Sequence, residues 1–517
     1  MAISSRTTIS QFKSSRYDTA RHLLRSRNTQ VKRAGRRTKQ VHRLRRIVKQ
    51  LGRDQLHTEQ QLQQAKLQIQ KLQIENAQLR KEPLRLPDDP PLPDHCYGAK
   101  MISLCVNLAR TVGLRPAQSA LQIVFEFLGV EGKIPDWTSI RTWLCRFGVA
   151  TLEEPVEAAD DWIWMTDHSN QIGAEKVLVV LGMRAGQMPP RGQPIRHEDV
   201  RVLSVIPGTE WKREDVAREY EALAERIGKP MVLLTDGAVE LRESAAVLEK
   251  AGKSIILLRD FKHYAANVLK KLVGKDKRFD RLLSKIGRTR SAIQQTELAH
   301  FTPPPQKPKA RFMNLAATLR WAEMVLWHLS HPNSGARRDI TAKRMNEKLG
   351  WLRSFRDDVA RWSRCQAVVS SSLTFINEQG LYAGAAEDLA ALLSDRQDSD
   401  RGNGELSERM TQELVRFVAD SEKQLGEGMR VPQSTEILES SFGLYKTLEK
   451  QHSKGGFTGL LSAFAGLLRR STPELIRESF ARVSVAKMRQ WTKEKLGCTL
   501  GSKRQTAYRE FAASGPG

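Results

Sequence analysis

Cysteine is scarce in this sequence, and the few cysteines form no recognisable pattern. Five occur among 517 residues, namely Cys96, Cys105, Cys145, Cys365 and Cys498. Their odd number and wide spacing exclude a disulfide framework and a zinc finger, and they fit a reducing compartment. Long apolar runs are missing too, because VLVVLGM and GLLSAFAGLL are too short to cross a bilayer. We therefore expect a soluble, cytoplasmic protein without a membrane partner.

Acidic residues are outnumbered by basic ones, and one segment lacks them altogether. The chain has 58 Asp and Glu against 84 Lys and Arg, which gives a formal charge of +26. No acid lies between Asp18 and Asp54, where basic side chains are dense. This balance favours a polyanionic partner, with nucleic acid as the first candidate. We predict a basic DNA-binding arm over residues 1–50. Its expected phosphate contacts are Arg36, Arg37, Arg43, Arg45 and Arg46.

A seven-residue apolar repeat overlaps the end of this arm and predicts a coiled coil over residues 44–82. The repeat positions are Leu44, Val48, Leu51, Gln55, Thr58, Leu62, Ala65, Ile69, Leu72, Asn76 and Leu79. Asn76 occupies an a position, where a buried amide can fix register and a dimeric state. The alternative is a solvated spacer that packs on its own protein, since the middle of the repeat is weak. A Pro-rich linker over residues 83–97 ends the helix.

Residues 98–150 have the pattern of a helical domain with three helices. The third begins in DWTSIRTWLCRFG, where Asp136 or Thr138 can act as the N-cap. Helical spacing places Ile140, Leu144 and Phe147 on its inner face. In a helix-turn-helix the outward positions would contact DNA, and the candidates are Thr138, Ser139, Arg141, Thr142 and Arg146. The alternative is a three-helix packing unit that makes no DNA contact.

Strands dominate residues 158–275. DWIWMTDH, EKVLVVLGM and VRVLSVIP follow one another closely, and MVLLTDG and SIILLRD then alternate with helices. This is the order of an RNase H-like α/β core, in which the first and fourth strands are parallel neighbours. Asp167 and Asp236 end those two strands and would meet at one end of the sheet. We expect a multidomain α plus α/β protein, with an all-α insertion over 276–430, the last part of the core over 431–470, and a basic helical tail over 471–517.

Two acids that share divalent cations need a third ligand, and a helix predicted after residue 430 supplies the candidate. In TEILESSFGLYK, Glu439 lies at the edge of the apolar stripe of that helix. Lys446 lies two turns further on the same stripe and could hold a DNA phosphate near the acids. Glu436 is the rival third acid, although its place in the first turn is explained by the helix dipole.

The order of these features resembles the RNase H-like DDE/D transposases, particularly bacterial insertion-sequence transposases and the related hAT and Mutator groups with a helical insertion. The resemblance covers about residues 98–470. It implies that Asp167, Asp236 and Glu439 are the catalytic acids and bind Mg²⁺ or Mn²⁺ in a two-metal site. It also matches Asp260 and His263, in RDFKHY, to a supporting motif of insertion-carrying members.

This resemblance implies a DNA transposase, which cleaves DNA at the ends of its element and joins the freed 3′ end to target DNA. The partners would be element and target DNA and further copies of the chain, in a homodimer or a larger synaptic oligomer. The compartment would be a bacterial cytoplasm or nucleoid. Two alternatives stay open: a non-catalytic DNA-binding protein derived from a transposase, and an RNase H-fold nuclease that cuts without joining.

The residues singled out also have structural explanations. Asp236 precedes Gly237 and could serve only to form a turn. Asp260 and His263 could serve only to cap and brace the following helix. His168 could orient a nucleophile beside Asp167, but we expect it to lie on the surface.

Overall fold

The described part of the chain falls into two compact units. The computed structural model describes residues 7–79, 88–130, 132–170, 176–208, 210–249, 254–306, 312–331, 340–397, 404–450, 459–497 and 500–514. One unit comprises Met1–Leu86 with Leu128–Val130, and the other comprises Pro87–Phe127 with Glu131–Gly517. Among the helices in these ranges, none combines the length and the apolarity needed to cross a membrane.

The first unit contains one long helix, α1 (Thr7–Leu79). No proline interrupts it, and every side chain described between residues 18 and 76 is exposed. The helix predicted from the repeat is therefore confirmed, whereas its pairing with a second helix stays a prediction. The start of the predicted Pro-rich linker, residues 83–87, lies outside the described residues.

The second unit begins with the three helices that the sequence predicts. They are α2 (Ala99–Val112), α3 (Leu114–Leu128) and α4 (Trp137–Leu152). Asp89 lies in the predicted linker but caps α2, because its carboxylate accepts from the backbone N–H groups of Lys100 and Met101 at 2.9 and 2.8 Å. Asp136 caps α4 by accepting from Thr138 N at 2.9 Å, as predicted.

A five-stranded sheet follows, in the order β3-β2-β1-β4-β5. Its strands are β1 (Trp162–Asn170), β2 (Lys176–Arg184), β3 (Arg201–Gly208), β4 (Pro230–Thr235) and β5 (Ile256–Arg259). The first three pair antiparallel. β1 with β4, and β4 with β5, pair parallel. The prediction that the first and fourth strands are parallel neighbours is therefore confirmed.

One face of this sheet is covered by α5 (Arg213–Ile227), α6 (Val239–Glu243) and α7 (Ala246–Glu249). Trp162 and Trp164 of β1 lie on that face, in an apolar cluster with Val216, Tyr220 and Leu223 of α5. Side chains alternate between the two faces along a strand. Asp167 therefore points to the other face, away from this cluster.

Helices fill most of the remaining described chain. Between the sheet and residue 422 they are α8 (Phe261–Val273), α9 (Lys277–Ile293), α10 (Leu315–Ser330), α11 (Ala342–Leu349), α12 (Arg356–Gln379), α13 (Ala385–Gln397) and α14 (Glu405–Glu422). Two short strands, β6 (Leu381–Tyr382) and β7 (Arg430–Val431), pair antiparallel. The last helices are α15 (Glu436–Lys450), α16 (Phe464–Leu468), α17 (Pro473–Arg482), α18 (Val485–Leu496) and α19 (Leu500–Ala513).

The C-terminal helices α16, α17 and α18 pack against α4. Ile140, Leu144 and Phe147 are fully buried, as their spacing predicts. Arg146, however, is only 8% exposed, and the prediction that it faces outward is wrong. Its guanidinium donates to the backbone oxygens of Phe480, at 2.6 Å, and Val483. The face that the sequence assigned to DNA at this position is thus covered by residues more than 300 positions away.

Candidate active site

Two acids stand one residue beyond the last parallel pair of β1 and β4. That pair is Thr166 with Thr235, so Asp167 follows it on β1 and Asp236 follows it at the end of β4. Because adjacent strands lie about 4.8 Å apart, the two carboxylates are close neighbours. One expectation is corrected: β1 does not end at Asp167, since it continues to pair with β2 as far as Asn170.

Asp167 is buried in the fold, with 8% of its surface exposed. This burial, together with the negative charge of Asp236, raises the pKa of Asp167 to about 7. Its Oδ1 atom accepts from the backbone N–H of His168 at 2.6 Å. Two carboxylates in this arrangement repel each other unless a proton or a cation lies with them.

Asp236 also shapes the turn that follows β4. Its Oδ1 atom accepts from Ala238 N at 2.7 Å, and the Thr235 hydroxyl accepts from Gly237 N at 3.2 Å. Gly237 has a φ of +90°, and a Cβ atom there would lie 2.5 Å from Nε of Arg259. Asp236 therefore helps to form the turn, as its structural explanation states. This hydrogen bond uses one of the two carboxylate oxygens, Oδ1.

Asp260 connects the elements that carry the acids. It is completely buried, and its backbone N–H donates to Thr235 O at 2.7 Å, at the end of β4. Its Oδ1 accepts from Thr435 N at 2.6 Å, immediately before α15. Its Oδ2 accepts from His263 N at 2.7 Å and so caps α8. One residue, through its backbone N–H and its carboxylate, thus joins the end of β4 to the beginnings of α8 and α15.

His263 contacts Asp260 and lies within electrostatic reach of the acid pair. Its Nδ1 atom is 2.8 Å from Oδ2 of Asp260. Burial alone would lower the pKa of His263, but the hydrogen bond to Asp260 and the charges of Asp260, Asp167 and Asp236 raise it to about 9. A protonated imidazole here offsets part of the negative charge of the two carboxylates.

Glu439 and Glu436 lie at the start of α15, which packs against β1. Lys262 Nζ lies 2.7 Å from Glu439 Oε2 and 2.9 Å from Glu436 Oε1. Glu436 also accepts from the Asn377 amide. Glu439 Oε1, in contrast, is buried without a hydrogen-bond partner among the described residues. A buried oxygen of this kind is what a further ligand would satisfy, which favours Glu439 over Glu436 as the third acid.

The donor chemistry of the three acids fits a divalent cation, because Mg²⁺ and Mn²⁺ prefer carboxylate oxygens. Asp167 and Asp236 are neighbours, and Glu439 has an unpartnered oxygen. Within the described ranges, however, no group of three or more His, Cys, Asp or Glu side chains is arranged to hold an ion. Lys262 holds the other oxygen of Glu439, so the helical acid would have to turn away from Lys262 to join the pair.

Lys446 lies on α15 two turns after Glu439 and is half-buried. Burial lowers its pKa, while the nearby charge of Asp167 acts in the opposite direction. The lysine therefore lies within electrostatic reach of Asp167. Its contact with a DNA phosphate stays a prediction.

His168 faces away from the acids, and its expected place on the surface is wrong. Its side chain is only 7% exposed and its Nδ1 atom lies 4.0 Å from Oε1 of Glu240. The ring centroid is 5.8 Å from that of Trp211. Burial, with the charge of Lys176, lowers the pKa of His168 to about 4. Strand alternation explains this, because neighbours on β1 occupy opposite faces of the sheet.

The predicted DNA contacts differ in exposure. On α4, Thr138 and Arg141 are exposed and Ser139 and Thr142 are half-buried, while Arg146 is buried as described above. On α1 the predicted contacts are all exposed, and they are Arg36, Arg37, Arg43, Arg45 and Arg46.

Comparison with known proteins gives distant similarity to solved structures only. No protein-family model matches the chain, and no curated protein matches it. A solved Drosophila P element transposase strand transfer complex is similar over 74% of this chain and 91% of the matched chain. The two are 12% identical and the TM-score is 0.35. At this TM-score, nothing about fold or activity follows from the similarity.

Two basic residues beside the acids were not found from the sequence. Lys262 pairs with Glu439, and Arg259 lies against Gly237, next to Asp236. Nε of Arg259 is buried without a hydrogen-bond partner among the described residues. Both lie in the stretch RDFKHY, where only Asp260 and His263 were considered. Their position at the end of β5 and the start of α8, beside the end of β4, is the signal that could have identified them.

Proposed function

We propose that this chain is a DNA transposase of the DDE/D type with an RNase H-like core. The observation that carries the proposal is the position of Asp167 and Asp236, one residue beyond the last pair of two adjacent parallel strands. The strand order supports the RNase H-like assignment, since an antiparallel trio continues into two parallel strands. The reaction would be hydrolysis at an element end, followed by attack of the freed 3′-hydroxyl on target DNA.

Asp167, Asp236 and Glu439 would hold Mg²⁺ or Mn²⁺. When bound, such ions activate the attacking oxygen and stabilise the charge that develops on the leaving oxygen. Asp260 acts as a positioning residue, because it fixes the start of α15 relative to the end of β4. His263 offsets the negative charge of the acids, and Lys446 would bind a phosphate of the DNA beside them.

The charge of the chain supports DNA as the partner. The formal charge is +26, and the arginines of α1 between residues 18 and 76 are exposed. Lys and Arg side chains on an accessible helix bind phosphates without reading sequence. The acids and the basic helix together favour an enzyme that acts on DNA.

A second candidate is a DNA-binding protein without catalytic activity. The ion pair of Lys262 with Glu439, at 2.7 Å, favours it, because this lysine occupies an oxygen that a metal ion would need. In this case the acids would have only a structural role, and α1 would bind the DNA.

The test compares wild type with Asp236→Ala and Glu439→Ala, and Glu436→Ala is the matched control on the same helix. Each protein is incubated with Mg²⁺ or Mn²⁺ and with duplex DNA from both flanks of its own gene, and cleaved and joined products are counted by sequencing. We expect Asp236→Ala and Glu439→Ala to lose ~10³-fold or more of the cleavage. Glu436→Ala should keep most of it.

Two further measurements separate the alternatives. Fluorescence anisotropy should show equal DNA affinity for all four proteins, so that lost cleavage reports on chemistry. Titration calorimetry with Mn²⁺ should show binding to wild type and none to Asp167→Asn. Cleavage without joined products would indicate a nuclease. A wild type that binds DNA but neither cuts it nor binds Mn²⁺ would contradict the enzyme and leave the DNA-binding protein.

A further inference from the structure

A cavity of about 730 Å³ lies where β3 begins and where α2 and α4 end, against α16. Its lining is unusually basic. The acids in the lining are Glu154 and Glu198, and the arginines are Arg110, Arg196, Arg201, Arg469 and Arg470. We refer to it as the arginine cavity. A cavity of this size with an excess of positively charged side chains favours an anionic ligand over an apolar one, because the anion compensates their charge.

Glu154 holds part of the arginine cluster in place. Its Oε2 atom accepts from Arg201 at 2.6 Å and from Arg469 at 2.5 Å, and Arg482 lies 4.0 Å from its Oε1 atom. One carboxylate therefore faces three guanidinium groups. It fixes their orientation but cannot neutralise their combined charge, so donors directed into the cavity stay available.

Arg110 and Arg470 add positive charge without an acid to compensate it. Arg110 donates to the backbone oxygen of Leu467 at 2.9 Å. Burial and the charge of Arg470 lower the pKa of Arg110. Within the described ranges, neither arginine forms an ion pair with an acid. The buried Nε2 atom of His197, in the cavity wall, likewise has no hydrogen-bond partner among the described residues.

The arginine cavity is separate from the acid pair. Arg201 pairs with Gly182 across β3 and β2, and Gly182 pairs with Trp164 on β1. Trp164 precedes Asp167 by three residues, so the start of β3 is roughly 14 Å from Asp167 across the sheet. A ligand in the cavity would therefore not be the phosphate that reacts at the acids.

We propose that the arginine cavity is a binding site for a phosphate group. Guanidinium groups match phosphate oxygens in paired hydrogen bonds, and they keep their charge when partly buried. The phosphate belongs either to a DNA backbone or to a free phosphate compound, since both present the same tetrahedral oxyanion. The site does not depend on the transposase assignment, because none of its residues takes part in the proposed chemistry.

The first arm of the test uses inorganic phosphate and full-length protein at constant ionic strength. The cavity variant is Arg196→Ala with Arg470→Ala, two exposed residues whose removal leaves the half-buried arginines in place. The matched control is Arg213→Ala with Arg218→Ala on α5, which removes equal charge from exposed positions outside the cavity. We expect phosphate to raise the melting temperature of wild type and control saturably. The cavity variant should bind phosphate at least ~10-fold more weakly.

The second arm measures the affinity of the same proteins for duplex DNA against salt concentration. If the cavity contacts the DNA backbone, the negative slope of log affinity against log salt should become less steep by about 2 in the cavity variant. The slope of the control should stay unchanged. If phosphate binding is lost but the slope is kept, the ligand is a free phosphate compound. The proposal is wrong if phosphate stabilises no protein and both double variants show the same DNA slope. Neither arm measures cleavage, so failure of the proposed function would leave these results unaffected.

Discussion

Asp260 is completely buried, and its carboxylate serves two helices. It caps α8, and it also accepts from Thr435 N and thereby positions α15. The backbone N–H of Asp260 donates to Thr235, directly before Asp236. The geometry of the candidate site therefore depends on a residue that would contact neither metal nor DNA.

We predict that Asp260→Ala lowers the free energy of unfolding by about 3 kcal/mol or more. The change leaves the Thr435 N–H without its acceptor, removes the cap of α8 and leaves His263 without its partner. Urea unfolding followed by circular dichroism measures the loss. Asp136→Ala is the control, because Asp136 also caps a helix, α4, but stands exposed. Equal losses in the two variants would contradict the connecting role of Asp260.

Glycine is required in the turn after β4 but not in the helix α15. Gly237 has a φ of +90° and its missing Cβ would collide with Arg259. Gly443, one turn after Glu439, has open space around the equivalent position. The first glycine is required by the backbone, whereas the second only weakens a helix and leaves room beside the acid.

We expect Gly237→Ala to cost at least about 1 kcal/mol of stability, from the unfavourable φ and the contact with Arg259. Gly443→Ala should instead add about 0.5–1 kcal/mol, because alanine favours the helix and meets no neighbour. Denaturant melts of both variants and wild type measure the two shifts. Stability changes of the same sign in the two variants would contradict the described surroundings of Gly237 or of Gly443.

Much of the sheet could be predicted because its signals are local. Short apolar runs bounded by turn residues predict strands, and the resemblance of their order to an RNase H-like core implies the parallel pairing of β1 and β4. The acids at positions 167 and 236 follow from that pairing. The inner face of α4 was predictable in the same way, since Ile140, Leu144 and Phe147 have helical spacing.

Contacts between distant segments could not be predicted. Arg146 is polar and lies on the face of α4 opposite to its apolar stripe, yet α17 covers it from more than 300 residues away. Lys262 pairs with Glu439 across 177 residues, and no local pattern indicates that pair. Polar residues become buried where a remote partner satisfies them, and a single sequence does not identify that partner.

The whole chain combines a folded unit that carries the acids with a long helix that carries exposed apolar residues. In α1 the repeat positions Leu51, Leu62, Ile69 and Leu72 are each more than half exposed. Leucine and isoleucine recurring along one stripe of a helix favour burial against a second helix. The predicted coiled coil would pair α1 with α1 of another copy, and the proposed transposase function would then have two acid sites and two basic arms in one assembly.

We predict that the full chain is a dimer and that Ile69→Lys with Leu72→Lys makes it a monomer, because two charges would be buried in the seam. The matched control is Leu67→Lys with Ile74→Lys, which adds the same charge outside the seam. The two pairs are equally exposed, at 55% and 57% against 60% and 54%, so only their place in the repeat differs. Sedimentation equilibrium measures the mass. A monomeric wild type, or identical behaviour of the two variants, would contradict pairing through α1.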